Sequence, residues 1–291
     1  MSAISKKVDP VWGEADVTSP KGASDENFPV GSLLFAKANR AHVTAYYNFA
    51  RVIDDMVDNA TLSSEAKIAR LRGMEEVIRG TREAPQRADA QTAVILRRHL
   101  LQTGVPAETA TDLITAFCQD AVKNRYESWD ELLGYCRFSA NPVGRFLLLL
   151  HGERPETLPL SDALCSALQV INHLQDVTSD LKTLDRSYLP QEMLSAEGAK
   201  IEDVLLARSK PGLRRVFMHL LDEVDHLNRE AARLPALVRD RRMRAYCAVV
   251  VALSHRLAAR LRREDPVAGR VKVTRRDGFY ALAKGARAFI G

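Results

Sequence analysis

From about residue 38 onward the chain repeats its apolar residues at helical spacing, and stretches that alternate as strands do are nearly missing. That property leaves few architectures open, because each helix buries one apolar stripe and needs other helices to cover it. The periodicity predicts helices over roughly 38–59, 63–80, 88–103, 107–123, 128–150, 160–182, 198–208, 211–234 and 238–263. Gly104-Val105-Pro106 and the stretch 152–159 read as stops or loops. Ser63-Ser64-Glu65 reads as a helix start, with a hydroxyl to cap and an acid in the first turn. There is no regular internal repeat and no Pro/Ser-rich linker, so one all-α domain is expected. Residues 1–24 carry Pro10, Gly13, Pro20 and Gly22 without sustained periodicity, and are read as a mobile tail.

At 291 residues and 46% hydrophobic, the chain is large enough to bury a core around a deep apolar pocket. The net charge of +5 is concentrated in C-terminal runs, Arg239-Asp240-Arg241-Arg242-Met243-Arg244 and Arg270 to Arg276. These runs lack interleaved aromatics and a recognition motif, which argues against nucleic acid. They leave a solvated helix face or an anionic membrane surface as alternatives. The longest apolar runs, Phe146 to Leu150 and Ala248 to Leu253, are far short of the roughly 20 residues a membrane span needs. Lys6, Lys7 and Asp9 sit where a secretory signal would begin, with no apolar stretch behind them. Cys118, Cys136, Cys165 and Cys247 are scattered, which fits neither a zinc site nor a disulfide framework. A cytoplasmic protein is expected, with peripheral attachment to the inner face of the plasma membrane left open.

Chemistry enters at the end of the first long helix, in Arg51-Val52-Ile53-Asp54-Asp55-Met56-Val57-Asp58. Asp54 and Asp58 stack on one face about 6 Å apart along the axis, while Asp55 points about 100° away from Asp54. Two carboxylates so placed repel each other, at the helix end where the dipole is already negative. A divalent cation would offset that cost. A second set repeats at intervals of four, Asn172, Asp176 and Asp180, with Leu168, Ile171, Leu174 and Val177 flanking it. Such a polar ladder on a largely buried helix suits a hard cation, and Mg²⁺ favours a few carboxylates together with phosphate and water. Two ladders facing each other across a bundle could hold several Mg²⁺ ions and, through them, one diphosphate.

These motifs resemble those of the squalene/phytoene synthase family, and the resemblance runs from about Ser24 to the end of the chain. Asp54-x-x-x-Asp58 is similar to the family's first aspartate-rich motif, with Tyr47 and Arg51 ahead of it, and Asn172-x-x-x-Asp176-x-x-x-Asp180 to its second. Tyr135-Cys136-Arg137-Phe138-Ser139-Ala140-Asn141-Pro142-Val143-Gly144 and Arg186-Ser187-Tyr188-Leu189-Pro190 resemble two further family segments. The chain departs from the common pattern at Gln175, where arginine usually precedes the aspartate, and at Asn141-Pro142, where glycine is usual. With Asp25-Glu26-Asn27-Phe28-Pro29-Val30, these departures resemble the hydroxysqualene-forming members of the bacterial hopanoid route.

The resemblance implies an isoprenoid-synthase helical bundle with a central pocket. It implies ionisation of presqualene diphosphate with Mg²⁺ and capture of the rearranged carbocation by water. A separate synthase would supply the presqualene diphosphate, and a flavin-dependent reductase would finish squalene. Condensation of two prenyl diphosphates such as farnesyl diphosphate, as in squalene, dehydrosqualene or phytoene synthases, is the alternative. A non-catalytic, lipid-binding or scaffolding family member is another. By the same resemblance Asp54, Asp58, Asn172, Asp176 and Asp180 would hold the metal–diphosphate complex. Arg51 would brace the carboxylates or meet the diphosphate, and Arg186 would reach phosphate from a loop. Tyr47, Tyr135 and Gln169 resemble the pocket's polar positions, where π faces and a neutral amide suit a carbocation. Phe28 would pack on the prenyl chain. Asn141 would hold a water near the cation, beside a helix break made by Pro142. His173 lies on a different face from Asn172 and is read as packed.

Overall fold

Tyr46, Phe49, Ile53, Met56 and Val57 repeat at helical intervals, and all are buried. They belong to α1 (Lys37–Asp58), the first helix of the computed structural model, which describes residues 11–12, 16–17 and 34–291. Phe28, the segment Asp25 to Val30 and most of residues 1–24 lie outside the described residues. The described chain divides into two compact units. One holds 11–12, 16–17 and 41–122, and the other holds 34–40 and 123–291. Both are helical, and among the described residues there is only an isolated bridge between Tyr126 and Pro190 in place of a sheet.

In the first unit α1 is followed by α2 (Ser64–Arg79), α3 (Ala88–Thr103) and α4 (Glu108–Asp120). The Ser63 hydroxyl accepts the Ala66 N–H at 3.3 Å, which satisfies one of the orphan donors of α2. Gly80 ends α2 with φ 78°, a left-handed turn that glycine takes without strain. The Tyr46 hydroxyl donates to the Thr109 carbonyl at 2.6 Å and so ties α1 to α4. Trp12, within the segment read as a tail, is 1% exposed and lies against α2. A Cβ at Gly73 would come within 2.5 Å of Val11 Cγ1 and 3.1 Å of Trp12 Cζ2, so the glycine leaves room for this anchor. Arg87 donates to the Trp12 carbonyl at 2.8 Å, and Asp89 accepts the Val17 N–H at 3.1 Å.

The second unit contains α5 (Trp129–Ser139), α6 (Asn141–Leu150), α7 (Leu158–Gln175), α8 (Val177–Leu184), α9 (Gln191–Ala196), α10 (Pro211–Ala231), α11 (Leu234–Leu237), α12 (Arg241–Leu261) and α13 (Arg275–Ile290). Helix α7 is its hub, packed against α6, α10 and α12. At Gly144 a Cβ would collide with the Ser161 hydroxyl and come within 2.6 Å of Cys165 Sγ, so glycine lets α6 lie close on α7. All four cysteines are free thiols, and burial pushes Cys136 and Cys165 up to about 12.

Four expectations need correction. The single range expected over 128–150 is two helices that part at Ala140, at the break expected beside Pro142, which has no N–H to continue the ladder. The helix expected over 160–182 is broken at Asp176, where the backbone turns to φ −103° and ψ 7°. Residues 198–208 hold only a short 3₁₀ turn, Ile201–Leu205. The basic run after Arg270 leads into α13, a helix that apolar periodicity did not predict. Its inward face is Asp277, Ala281 and Gly285, too small and too polar to register as an apolar stripe.

Candidate functional site

One acidic motif lies in each unit. In the first, Tyr47, Arg51, Asp54, Asp55 and Asp58 all belong to α1 and all are half-buried. Arg51 Nη1 donates to Asp54 Oδ2 at 3.2 Å, and its Nη2 lies 4.0 Å from Asp55 Oδ1. Arg51 therefore braces the carboxylates from one turn earlier, offsetting the repulsion that their spacing builds in.

In the second unit, the buried residues Val170, Ile171, His173, Leu174, Gln175 and Val177 fix how the ladder sits. They leave Gln169, Asn172, Asp176 and Asp180 half-buried along one line. The break at Asp176 does not destroy the register. The Asp176 N–H donates to the Asn172 carbonyl at 2.9 Å, and the Asp180 N–H to the Asp176 carbonyl at 2.9 Å. Two side chains account for the bend: the Ser179 hydroxyl donates to the Asp176 carbonyl at 2.8 Å, and Thr178 donates to Val204 O at 3.0 Å.

The loop after α12 meets this ladder directly. Arg270 Nε lies 2.8 Å from Asp176 Oδ1 and Nη2 lies 3.0 Å from Oδ2, a two-pronged ion pair. Next to it Gln175 Nε2 donates to the Val271 carbonyl at 2.5 Å. The unusual Gln175 thus fastens the loop that carries Arg270. Sequence reasoning placed Arg270 in a solvated or membrane-facing run. Its signal, one arginine of a basic run after α12, could not name a partner 94 residues away.

Arg186, read as a loop residue reaching for phosphate, is buried at 7% exposure. Asp185 takes a left-handed φ of 49° and is paired with Arg125 at 2.6 Å. Ser187 N–H donates to Asn124 O and Gln191 N–H to Tyr126 O, both at 2.9 Å. These bonds draw the loop onto 124–126, and the Arg186 N–H to the Asp180 carbonyl at 3.2 Å. The same pairing builds an aromatic cluster. Tyr135 and Tyr188 lie 5.4 Å apart between ring centroids, Tyr126 and Tyr188 5.5 Å, and His173 stacks on Tyr188 at 3.4 Å. Burial, and then the Arg186 guanidinium, push His173 down to about 3, so the ring is neutral at ordinary pH. Tyr126 was missed because it joins the cluster through backbone pairing with the loop, which leaves no side-chain pattern.

Asn141, the first residue of α6, is 6% exposed. With its nitrogen turned inward the amide reaches Cys136 O at 3.3 Å, Asp162 O at 3.1 Å and Ser166 Oγ at 3.0 Å. It bridges the end of α5 to α7.

Among the described residues, no three His, Cys, Asp or Glu side chains converge into a ready metal cage. The oxygen donors of both motifs nonetheless fit Mg²⁺, which shares its coordination with water and phosphate and needs no all-protein cage. Asp176 carries the Arg270 guanidinium at this position.

The squalene/phytoene synthase family model matches residues 22–277. The chain is 41% identical over 257 residues to the hydroxysqualene synthase of Rhodopseudomonas palustris, covering 88% of this chain and 86% of that one. It is 35% identical over 291 residues to the hydroxysqualene synthase of Zymomonas mobilis, covering 99% and 96%. The crystal structure of squalene synthase HpnC from Alicyclobacillus acidocaldarius superposes with a TM-score of 0.71 at 32% identity, over 83% of this chain and 90% of that one. With both aspartate-rich motifs intact in an all-α fold, the chain belongs to the squalene/phytoene synthase family.

Proposed function

We propose that the chain ionises presqualene diphosphate and lets water capture the rearranged carbocation, giving hydroxysqualene and diphosphate. The observation that carries this reading is the second acidic motif, whose four-residue register survives the break at Asp176, in a chain whose relatives bear the hydroxysqualene synthase name. Asp54, Asp58, Asn172, Asp176 and Asp180 would hold Mg²⁺, which neutralises the leaving diphosphate when bound. Arg51 keeps Asp54 oriented, and the buried Arg186 guanidinium reaches the Tyr188 hydroxyl at 3.4 Å, which places its charge at the aromatic cluster. Tyr126, Tyr135 and Tyr188 form a buried aromatic cluster, a surrounding that would favour a nearby cation. His173, held neutral by burial and by the Arg186 charge, adds no second positive charge beside that cation. Tyr47 and Gln169 are further polar candidates on the same motif-bearing helices. Asn141 would hold the α5–α6 break through its amide nitrogen, which leaves its carbonyl oxygen for a water.

The test is product analysis by mass spectrometry with Mg²⁺ in labelled water, offering presqualene diphosphate and farnesyl diphosphate separately without a reductant. Consumption of presqualene diphosphate to an alcohol carrying the label supports the reading. Asp176→Asn should lower that turnover at least about a hundredfold while the fold is kept. Conversion of farnesyl diphosphate alone would move the chain to the condensing synthases. Release of diphosphate from neither substrate would leave a lipid-binding or scaffolding member.

A further inference from the structure

Helix α13 buries one face and leaves the other apolar. Asp277, Ala281 and Gly285 face inward, where a Cβ on Gly285 would meet Val249 Cγ2 at 2.5 Å and Ala245 O at 3.2 Å on α12. At 100° per residue, Phe279, Leu282, Ala286, Phe289 and Ile290 gather on the opposite side. There Phe279 is 71% exposed, Leu282 59% and Ile290 82%, a contiguous apolar stripe of a kind that isolated surface residues do not make. The exposed charges of this helix are all positive: Arg275, Arg276, Lys284 and Arg287. Its single acid, Asp277, is buried and paired with Arg256 at 2.6 Å.

An open groove of about 1000 Å³ runs beside the same helix. Arg244, Lys284, Arg287 and His255 line it together with several alanines and Val251, and no Asp or Glu side chain lines it. An apolar stripe flanked by cations, next to a basic groove also lined by apolar residues, matches a surface that is anionic outside and apolar beneath. No described helix is long and apolar enough to cross a membrane, so the helix would lie on such a surface and not through it.

We propose that α13 is a docking helix that seats the protein on an anionic lipid bilayer. Phe279, Leu282, Phe289 and Ile290 enter the acyl boundary, and Arg275, Arg276, Lys284 and Arg287 meet lipid phosphates. If the substrate is the prenyl diphosphate proposed above, the water-insoluble product leaves where it is soluble. The docking itself does not depend on that reading.

The experiment is cosedimentation of the full chain with phosphatidylcholine vesicles containing or lacking about a third phosphatidylglycerol, a fraction chosen for strong surface potential. Binding is expected only to the anionic vesicles and should fall steeply with salt. Phe279→Ser with Leu282→Ser and Ile290→Ser should lower it at least tenfold, with the circular dichroism melt unchanged because these side chains face solvent. Removing a basic residue, as in Arg276→Gln, should lower it about fivefold. Equal binding to neutral vesicles, or full binding by the triple variant, would overturn the proposal. So would a self-associated chain in sedimentation velocity that the triple variant makes monomeric, since the stripe would then be covered by a second copy. Enzyme activity is not the readout, so failure of the proposed reaction and failure of docking are distinguishable.

Discussion

Replacing Asp277 with alanine removes the groups that hold the first turn of α13. The side chain is 1% exposed, and Oδ2 accepts from the Thr274 N–H at 2.9 Å and its hydroxyl at 2.7 Å. Oδ1 accepts from Arg256 Nε at 2.6 Å, and Arg260 Nη1 stands 3.6 Å from Oδ2. Burial opposes the charge, yet the Thr274 donors and Arg256 outweigh it and hold the carboxyl at about 2, against an ordinary 3.8. At about 1.4 kcal/mol per unit that depression corresponds to about 2 kcal/mol of stability. Loss of the reciprocal cap is of similar size and overlaps it, so the variant should lose about 2–3 kcal/mol and its Tm should drop by roughly 4–10 °C. The folded pKa lies below the unfolded one, so the contribution is complete above about pH 4 and is lost as pH falls through 2. The gap between thermal melts of wild type and Asp277→Ala should therefore narrow by about half of that contribution between pH 7 and pH 3. Hydrogen exchange should accelerate first at the amides of Arg275 to Gly278. A Tm shift under about 1 °C at pH 7, or a gap that stays constant to pH 3, would refute the reasoning.

His173 is held far below its ordinary value, so the unfolded chain takes up a proton near pH 6.5 that the folded one refuses until about 3. Stability should fall by roughly 1.4 kcal/mol per pH unit between those values, and His173→Phe should flatten that part of a urea-midpoint profile; an unaltered slope would contradict the burial. Arg270→Gln should change Tm little, because a half-exposed pair contributes about 1 kcal/mol or less. It should also raise Mg²⁺ affinity up to about fivefold by calorimetry without substrate, since no guanidinium then has to leave Asp176. Unchanged or weaker Mg²⁺ binding would remove Asp176 from the metal set.

The four helices of the first unit were legible because their apolar faces and caps are local: Ser63 and Gly80 sit where the pattern put the ends of α2. Both aspartate motifs were legible for the same reason, since four-residue spacing states which side chains share a face. What escaped is tertiary. The bend at Asp176 comes from hydroxyls of Ser179 and Thr178 turning to carbonyls, and Arg270 finds its carboxylate only when the chain returns after α12. Helix α13 was hidden because close approach to α12 requires Ala281 and Gly285 where a periodic pattern would show leucine. Asn141 was read for its chemistry, and its contacts to α5 and α7 across the break were not legible because they depend on how the two helices pack.

The chain has 2 tryptophans, and each compact unit holds one: Trp12 on α2 in the first and Trp129 at the start of α5 in the second. Trp12 is 1% exposed while Trp129 is only half-covered, so their emission spectra should differ, with the Trp12 indole the bluer. Trp12→Phe and Trp129→Phe therefore each leave a single fluorophore in a known unit. Denaturation followed through the two variants would show whether the halves melt together or in turn, without any attached dye. Release of the Val11–Trp12 anchor would appear as a red shift confined to the Trp129→Phe protein.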